Sequence, residues 1–309
     1  MPAAVDSVTP ANDGGPNDWD GVLIDWVVLT RGDRPAALAA AVTSLQASPT
    51  TGSIVVLVNG SDGDATVELD GCADGVVVIE SPVNLGVPGG RDLGLRSSRA
   101  PLVGFLDDDA RLLSTESMGH VVNQFATDPS LGAMSLRLVD EDGNTSRRHV
   151  PRRGAAGADR SGPVATFLGG ASIVRRSAYL QAGGYWADLV YGHEELDLAW
   201  RLIEHHHSIR YEAEISVYHP RTEISRHPDG WWRTGRNRVL IARRNLPVSL
   251  LIVHSLVWLA IGAVRAPGRD CKQRYVSGWF GAWRLPVHRA SLSWSALGRL
   301  RRLGRFPIL

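Results

Sequence analysis

Short apolar runs alternate with amphipathic stretches along the first third of the chain, and each run ends in a cluster of polar residues. Val22 to Leu29 is rich in β-branched residues and gives way to Thr30-Arg31-Gly32-Asp33-Arg34. Pro35 to Gln46 places Leu38, Val42 and Leu45 at spacings of four and three, the period of a helix with one apolar face. Ser53 to Val58 is a second run, closed by Asn59-Gly60-Ser61-Asp62, and Val76 to Ile79 a third, leading to Asn84-Leu85-Gly86 and Arg91. The fourth, Ala100 to Leu106, ends in Asp107-Asp108-Asp109. Strands alternating with helices predict an α/β domain with a largely parallel sheet. Ligands gather at the carboxyl ends of such strands, so the four polar clusters are predicted to line one crevice.

The aspartate cluster carries the first chemical suggestion. Carboxylates crowded at a strand's exit repel unless a cation sits among them. Oxygen ligands on a loop suit Mg²⁺ or Mn²⁺, whose remaining positions take phosphate oxygens. A solvated acidic turn or a helix cap explains an isolated triplet equally well. Gly86, Gly89 and Gly90 match no dinucleotide fingerprint or phosphate loop. They would let backbone approach a nucleotide, with Arg91 supplying charge to phosphate.

Composition bounds these readings. The chain has 309 residues, 44% hydrophobic and 21% charged, with a net charge of +1, which fits one large domain plus an appendage. Balanced charge argues against a nucleic-acid binder that relies on an overall field. Cys72 and Cys271 are far apart and form no metal-spaced pair, which suits a reducing, cytoplasmic setting. Met1 to Asp20 has neither the basic nor the apolar segment of a signal peptide and reads as a disordered leader.

In their order and spacing, Thr30-Arg31, Val58-Asn59-Gly60-Ser61, Asn84-Leu85-Gly86 through Arg91-Asp92-Leu93-Gly94, and Asp107-Asp108-Asp109 resemble the family 2 glycosyltransferases, inverting enzymes of the GT-A fold. Two positions depart from the family pattern: Val58 replaces an Asp that commonly contacts the base, and Asp92 replaces an Asn. Farther on, Phe167 to Tyr185 followed by Tyr191 to Arg201 is similar to the family's acceptor-side strand and its E-D-x-D-L-x-x-R helix, with Glu195 in place of the second acid.

The resemblance covers about residues 22 to 245 and implies a GT-A-like, Rossmann-like mixed sheet, largely parallel and flanked by helices. Residues 21–110 would form the nucleotide-sugar half, 111–245 the acceptor half and 246–309 a helical extension. It implies Mn²⁺ or Mg²⁺ on Asp107, Asp109 and His219, the last ending a short strand before Pro220. A nucleoside diphosphate sugar, UDP- or dTDP-linked by preference, would be placed by Thr30, Arg31, Asn59, Asp62, Asn84, Gly86, Arg91, Asp107 and Asp108. Gly170, Trp186 and His193 would face a hydroxyl acceptor, a glycan, glycolipid or natural product. Glu195 would take the hydroxyl proton, with Glu194 in reserve. Within the family the chain looks most like rhamnosyl- and related deoxysugar transferases.

Other readings of the same residues stay open. Glu194, Glu195 and Asp197 also suit a helix's first turn, and Asp197 with Arg201 a helix-surface ion pair. His205-His206-His207 points in three directions on a helix and does not read as a zinc site. A nucleotidyltransferase would share an acidic metal crevice, and a non-catalytic sugar-nucleotide-binding scaffold would retain the donor site alone. Asp140 to Pro163, containing Arg147-Arg148-His149 and Arg152-Arg153, reads as a long basic loop, a lid or a solvated insertion.

The C-terminal region changes character. Leu246 to Val264 is apolar between Arg243-Arg244 and Arg265, nearly long enough at ~1.5 Å per residue to cross a ~30 Å hydrocarbon core. Pro247, Ser249, His254 and Ser255 weaken a spanning reading. Leu292 to Leu303 mixes leucines with Arg299, Arg301 and Arg302, as interfacial helices do. The expectation is a protein peripheral on the inner face of the cytoplasmic membrane; a helical subdomain packed on the catalytic core or on a second copy is the alternative.

Overall fold

The computed structural model describes residues 19, 21–60, 75–152, 157–221 and 229–308. At its centre, strand β1 (Ile24–Thr30) sends Ile24, Trp26 and Val28 into one core and Val27 into the other, as a period of two requires. Strands β2 (Thr51–Asn59) and β4 (Leu102–Asp107) flank it in parallel, and β3 (Val76–Ser81) extends the sheet beyond β2. Helix α1 (Pro35–Gln46) covers one face through Leu38, Ala41, Val42 and Leu45, and α2 (Gly86–Ser97) covers the other through Leu95.

Beyond β4 the directions mix. Strands β5 (Arg111–Leu112), β6 (Leu131–Val139), β7 (Gly162–Pro163), β8 (Ala171–Arg175) and β9 (Ser208–Tyr218) complete the order β3-β2-β1-β4-β8-β6-β9-β5, with β7 beside β9. β8 runs antiparallel to both neighbours, whereas β6 and β9 are parallel. Helix α3 (Met118–Thr127) packs on the face of α1; α4 (Arg176–Gln181) and α5 (Glu194–Glu204) pack on the face of α2.

Register brings the polar clusters to one edge. Leu29 lies opposite Asp107, Thr30 opposite Val58, and Asn59 opposite Ser81. At the other end of β1, the buried Asp25 carboxylate accepts from Ser53 N (2.9 Å), Ser98 Oγ (2.7 Å), and Arg99 N and Ala100 N (both 3.1 Å). It ties the start of β2 and the approach to β4 to the same strand, so the three exits stay level. Val58 itself is fully buried.

After β9, helices α6 (Gly230–Asn245), α7 (Val248–Arg265), α8 (Gly268–Ala282) and α9 (Trp294–Arg302) complete the chain. α6 and α8 touch backbone to backbone, because Gly235 faces the Tyr275 carbonyl and Gly278 the Trp232 carbonyl. Two sequence expectations change here. The apolar side of α9 (Ala296, Leu297, Leu300) is buried in the core beside α5, and Ser293 donates from both N (2.8 Å) and Oγ (3.0 Å) to Glu204, so that side is not free for lipid. Asp197 and Arg201 are buried instead of forming a surface pair. Asp197 accepts from Arg201 Nη2 (2.6 Å), Arg244 Nη1 (3.2 Å) and Asn245 Nδ2 (2.7 Å), which locks α5 to α6. Asp62 and all of the expected leader except Trp19 lie outside the described residues.

Candidate active site

Strand β4 delivers three carboxylates to the sheet's carboxyl edge, and each has a different neighbour. Asp108 is buried, accepting from Thr30 Oγ1 (2.8 Å) and Arg34 Nη2 (2.6 Å). Burial pushes its carboxyl up to about 6 against both of those partners. Asp109 pairs with the other arm of Arg34. Asp107 accepts from Arg91 Nη2 at 2.8 Å.

His219 arrives from the far half of the sheet. β9 pairs with β5, placing Tyr218 opposite Arg111, and His219 N donates to the Val139 carbonyl (2.9 Å). Its Nε2 then stands 3.7 Å from Asp107 and 3.5 Å from Asp109. Its Nδ1 is 2.9 Å from the Pro220 carbonyl, a contact that orients the ring with Nε2 toward the carboxylates. Burial lowers the affinity of His219 for a proton, but Asp107 and Asp109 outweigh it and raise the pKa. Burial likewise opposes charge on Asp107, yet His219 and Arg91 hold its carboxyl well below the usual range. One ligand atom from each of Asp107, Asp109 and His219 falls within 4.8 Å of the others, a set suited to a divalent cation.

Arg91 joins this cluster to α5. Its guanidinium is buried, with Nη2 on Asp107 and Nη1 at 3.3 Å from Glu195 and 3.8 Å from Glu194. Glu194 is almost inaccessible and its Oε2 has no hydrogen-bond partner among the described residues, whereas the Glu195 side chain is 22% exposed. Burial raises both carboxyl pKa values, the charge of Glu195 adds to the rise at Glu194, and Arg91 opposes both. Gly169 and Gly170 make the convergence fit. A Cβ on Gly169 would fall on Arg91 and Glu195, and one on Gly170 would fall on Asp107.

The approach to α5 is strained. Val190 (φ 61°) and His193 (φ 71°) both take positive φ, which is rare for a β-branched residue. The Val190 carbonyl accepts from Val87 N (2.8 Å) and occupies the space where Gly86 would carry a Cβ. On the other side, Asn237 Nδ2 of α6 lies 2.9 to 3.0 Å from the carbonyls of Leu189, Tyr191 and Gly192. The turn that starts α2 and the turn that starts α5 are thereby stapled together.

A cavity of about 620 Å³ opens over these groups. Thr30, Arg31, Arg34, Asn59, Asn84 and Gly86 form one wall, the aspartates and His219 the floor, and Gly169, Gly170 and Tyr191 the opposite side; Arg148, His149 and Arg233 also line it.

The sequence profile described as Glycosyl transferase family 2 matches residues 26–183, more than half of the chain. The chain belongs to this family. Its profile ends before Glu194, Glu195 and His219. A pre-mycofactocin glycosyltransferase of Mycobacterium tuberculosis is 28% identical over 214 residues, 64% of this chain and 43% of that protein. The chain thus spans less than half the length of this curated relative. Among solved structures, GalNAc-T7 with UDP, GalNAc and Mn²⁺ superposes with a TM-score of 0.61 at 12% identity, covering 83% of this chain and 54% of that one. The mannosyltransferase PcManGT of Pyrobaculum calidifontis, in complex with GDP-Man and Mn²⁺, gives 0.55 at 15% identity, covering 93% and 81%. These likenesses place the chain in the GT-A fold.

Measured against the family pattern, the residues fall in three groups. Thr30, Arg31, Asn59, Asn84, Gly86, Asp107, Asp108, Asp109, Gly170 and His219 meet around the cavity. Asn59 is committed to backbone, its amide holding Gly86 O (3.0 Å) and Leu85 N (2.8 Å). Arg91, expected at a phosphate, lies beneath the cavity, drawn down by three carboxylates. Glu195 lies behind Gly169 rather than in the cavity wall, and Glu194 is deeper still.

Trp186 and His193, expected on the acceptor side, do not line this cavity. Trp186 stacks under Arg244 at 4.7 Å, and the buried His193 Nε2 has no hydrogen-bond partner among the described residues. Asp92 turns away to Tyr179 Oη (2.9 Å) and Arg96 (2.7 Å). Arg34, Tyr191 and Arg233 join the site without having been singled out for it. Arg34 had one signal, a basic residue at the mouth of α1, the helix whose preceding strand holds Thr30.

Proposed function

We propose that this chain is a metal-dependent inverting glycosyltransferase that moves a sugar from a nucleoside diphosphate to an acceptor hydroxyl. The observation that carries the reading is the meeting of Asp107 and Asp109, at the exit of β4, with His219, at the exit of β9, one guanidinium away from Glu195. The donor set of two carboxylate oxygens and a neutral imidazole fits Mn²⁺ or Mg²⁺. When bound there, such an ion would neutralise charge on the departing diphosphate. The UDP, GDP-Man and Mn²⁺ held by the two solved structures of the same fold support a nucleotide-sugar donor. The cavity volume suits a ligand of that size.

On this reading Thr30, Asn59, Asn84 and Gly86 shape the nucleotide wall, while Arg31 and Arg34 bring positive charge to phosphate. Glu195, the more accessible acid, takes the proton from the acceptor oxygen as that oxygen attacks the anomeric carbon. Arg91 is a positioning residue that orients Asp107 and Glu195 together. The base is required ionised and its pKa is raised, so the rate should climb as pH rises through a value above that of an ordinary glutamate. UDP- or dTDP-sugars are the proposed donors, and a cell-envelope glycan, glycolipid or natural product is the proposed acceptor.

A panel of nucleotide sugars and hydroxyl acceptors with Mn²⁺, read by NMR for product anomeric configuration, tests the assignment. Inverted product is expected, with Glu195→Gln lowering kcat about 10²- to 10⁴-fold while donor affinity stays within a fewfold. Retained configuration, or full activity in Glu195→Gln, would contradict it. Release of pyrophosphate from a nucleoside triphosphate and a sugar phosphate would identify a nucleotidyltransferase instead.

A further inference from the structure

Helix α7 leaves one long side uncovered. Ile252, Val253, Leu256 and Val264 fall within an arc of about 120° around the helix and are 52%, 42%, 57% and 81% exposed. Only 22% of the helix is buried, through Leu251, His254, Ser255 and Gly262 on the opposite side. At ~1.5 Å per residue the exposed stripe from Ile252 to Val264 is about 18 Å long. Contiguous apolar surface on this scale marks a binding face.

The surrounding segment is strongly basic. Residues 246–309 contain ten Arg and Lys residues and one acid, Asp270, in a chain whose net charge is only +1. Arg265 ends α7, and Arg269 and Lys272 follow, exposed, in the first turns of α8. Arg238 stacks over Trp258 at 3.7 Å, and its Nε and the Trp258 Nε1 are both buried without a hydrogen-bond partner among the described residues. Burial pulls the Arg238 pKa down to about 10, with Arg265 and Arg305 adding to the fall and Tyr275 opposing it. None of those three neighbours is a carboxylate.

We propose that this face of α7 and the basic residues at its C-terminal end dock the protein on an anionic lipid bilayer, with the helix lying in the interface. Two other occupants fit less well. A second copy seated on the same face would bring two strongly basic segments together, whereas anionic headgroups complement them. A bilayer-spanning α7 would carry α8 in with it. Tyr275 Oη donates to the Trp258 carbonyl (2.6 Å), Trp279 Nε1 donates to the Ser255 carbonyl (3.0 Å), and Gly262 lies against the Tyr275 ring. Pinned at those points, α8 would drag Arg269, Lys272 and Arg274 into hydrocarbon.

The proposal does not depend on the transferase reading, but it bears on the site. α6 packs on α8 and carries Arg233 at the cavity, so a docked α7 would hold that side of the cavity in a fixed relation to the membrane.

Sedimentation of the full chain with vesicles of phosphatidylcholine, with or without about one-third phosphatidylglycerol, tests the proposal. Binding is expected only to the anionic vesicles and should weaken with salt. Arg265→Gln and Arg269→Gln should each lower the partition constant about fivefold. Ile252→Ser combined with Leu256→Ser should lower it at least tenfold. Those two side chains are exposed, so the melting temperature and nucleotide affinity should stay unchanged. Equal binding to neutral and anionic vesicles, no binding to either, or a dimer that the double serine variant dissolves would each overturn the proposal. Resistance of membrane-bound protein to alkaline extraction would show spanning and overturn it too.

Discussion

Arg91 shows how much one side chain can organise. Its guanidinium faces Asp107, Glu195 and Glu194 in a buried setting, so truncating it leaves carboxylates without their counter-charge. Arg91→Met is expected to lower stability by about 3 to 5 kcal/mol in denaturant melts, and Arg91→Lys by less. Gly170 is the complementary case. Gly170→Ala sets a Cβ on the Asp107 carboxylate, so Mn²⁺ affinity measured by calorimetry should fall at least tenfold while the chain still folds. Asp107, Asp109 and His219 could be picked out in the sequence because the two aspartates close one apolar run and His219 closes another. The direction in which Arg91 points was not, because it follows from the rotation of α2 against the sheet. Arg34 was hidden for a related reason: only the pairing of β1 with β4 sets the mouth of α1 beside the aspartates.

At the level of elements, α6 connects the site to the rest of the molecule. Asn237 holds the turn before α5, Asn245 holds Asp197, and the same helix packs on α8. Between α5, α6 and α7 lie two histidines kept neutral by their surroundings. Burial lowers the His254 pKa to about 4, with Arg238 adding to the fall and its bond to the Pro307 carbonyl opposing it. Burial, Arg238 and His254 lower that of His193 as well. The unfolded chain, with histidines near 6.5, therefore binds more protons than the native state between pH 4 and 6.5. The stability that His254 contributes is complete above about pH 6.5 and is lost as pH falls toward 4, at roughly 1.4 kcal/mol per unit, and His193 acts in the same direction. Urea melts between pH 7 and 5 should show that fall, and His254→Phe should flatten it. The repeating strands and helices from β1 to β4 were readable from period alone. The helices after β9 were not, since α7 and α9 both present apolar sides and only tertiary packing decides that α9 is covered and α7 left bare.

The whole molecule brings a level row of strand exits, a strained pair of turns and a helical bundle to one cavity. β1, β2 and β4 place Thr30, Asn59 and Asp107 side by side through parallel register, while the antiparallel β8 and the long return of β9 bring Gly170 and His219 from the other half. Family membership and fold agree with the order of motifs along the chain. His219 lies past the end of the matched profile, and its place at the aspartates rests on the sheet's topology. The central claim is that Asp107, Asp109 and His219 form a metal site for a nucleoside diphosphate. Calorimetry of UDP, dTDP and GDP against the native chain and Asp109→Ala, each with Mn²⁺ and with chelator, tests it most directly. A diphosphate is expected to bind the native chain with Mn²⁺ and to lose at least tenfold in affinity on chelation or in Asp109→Ala. Diphosphate binding of equal strength with chelator and in the variant, or none under any metal condition, would contradict it.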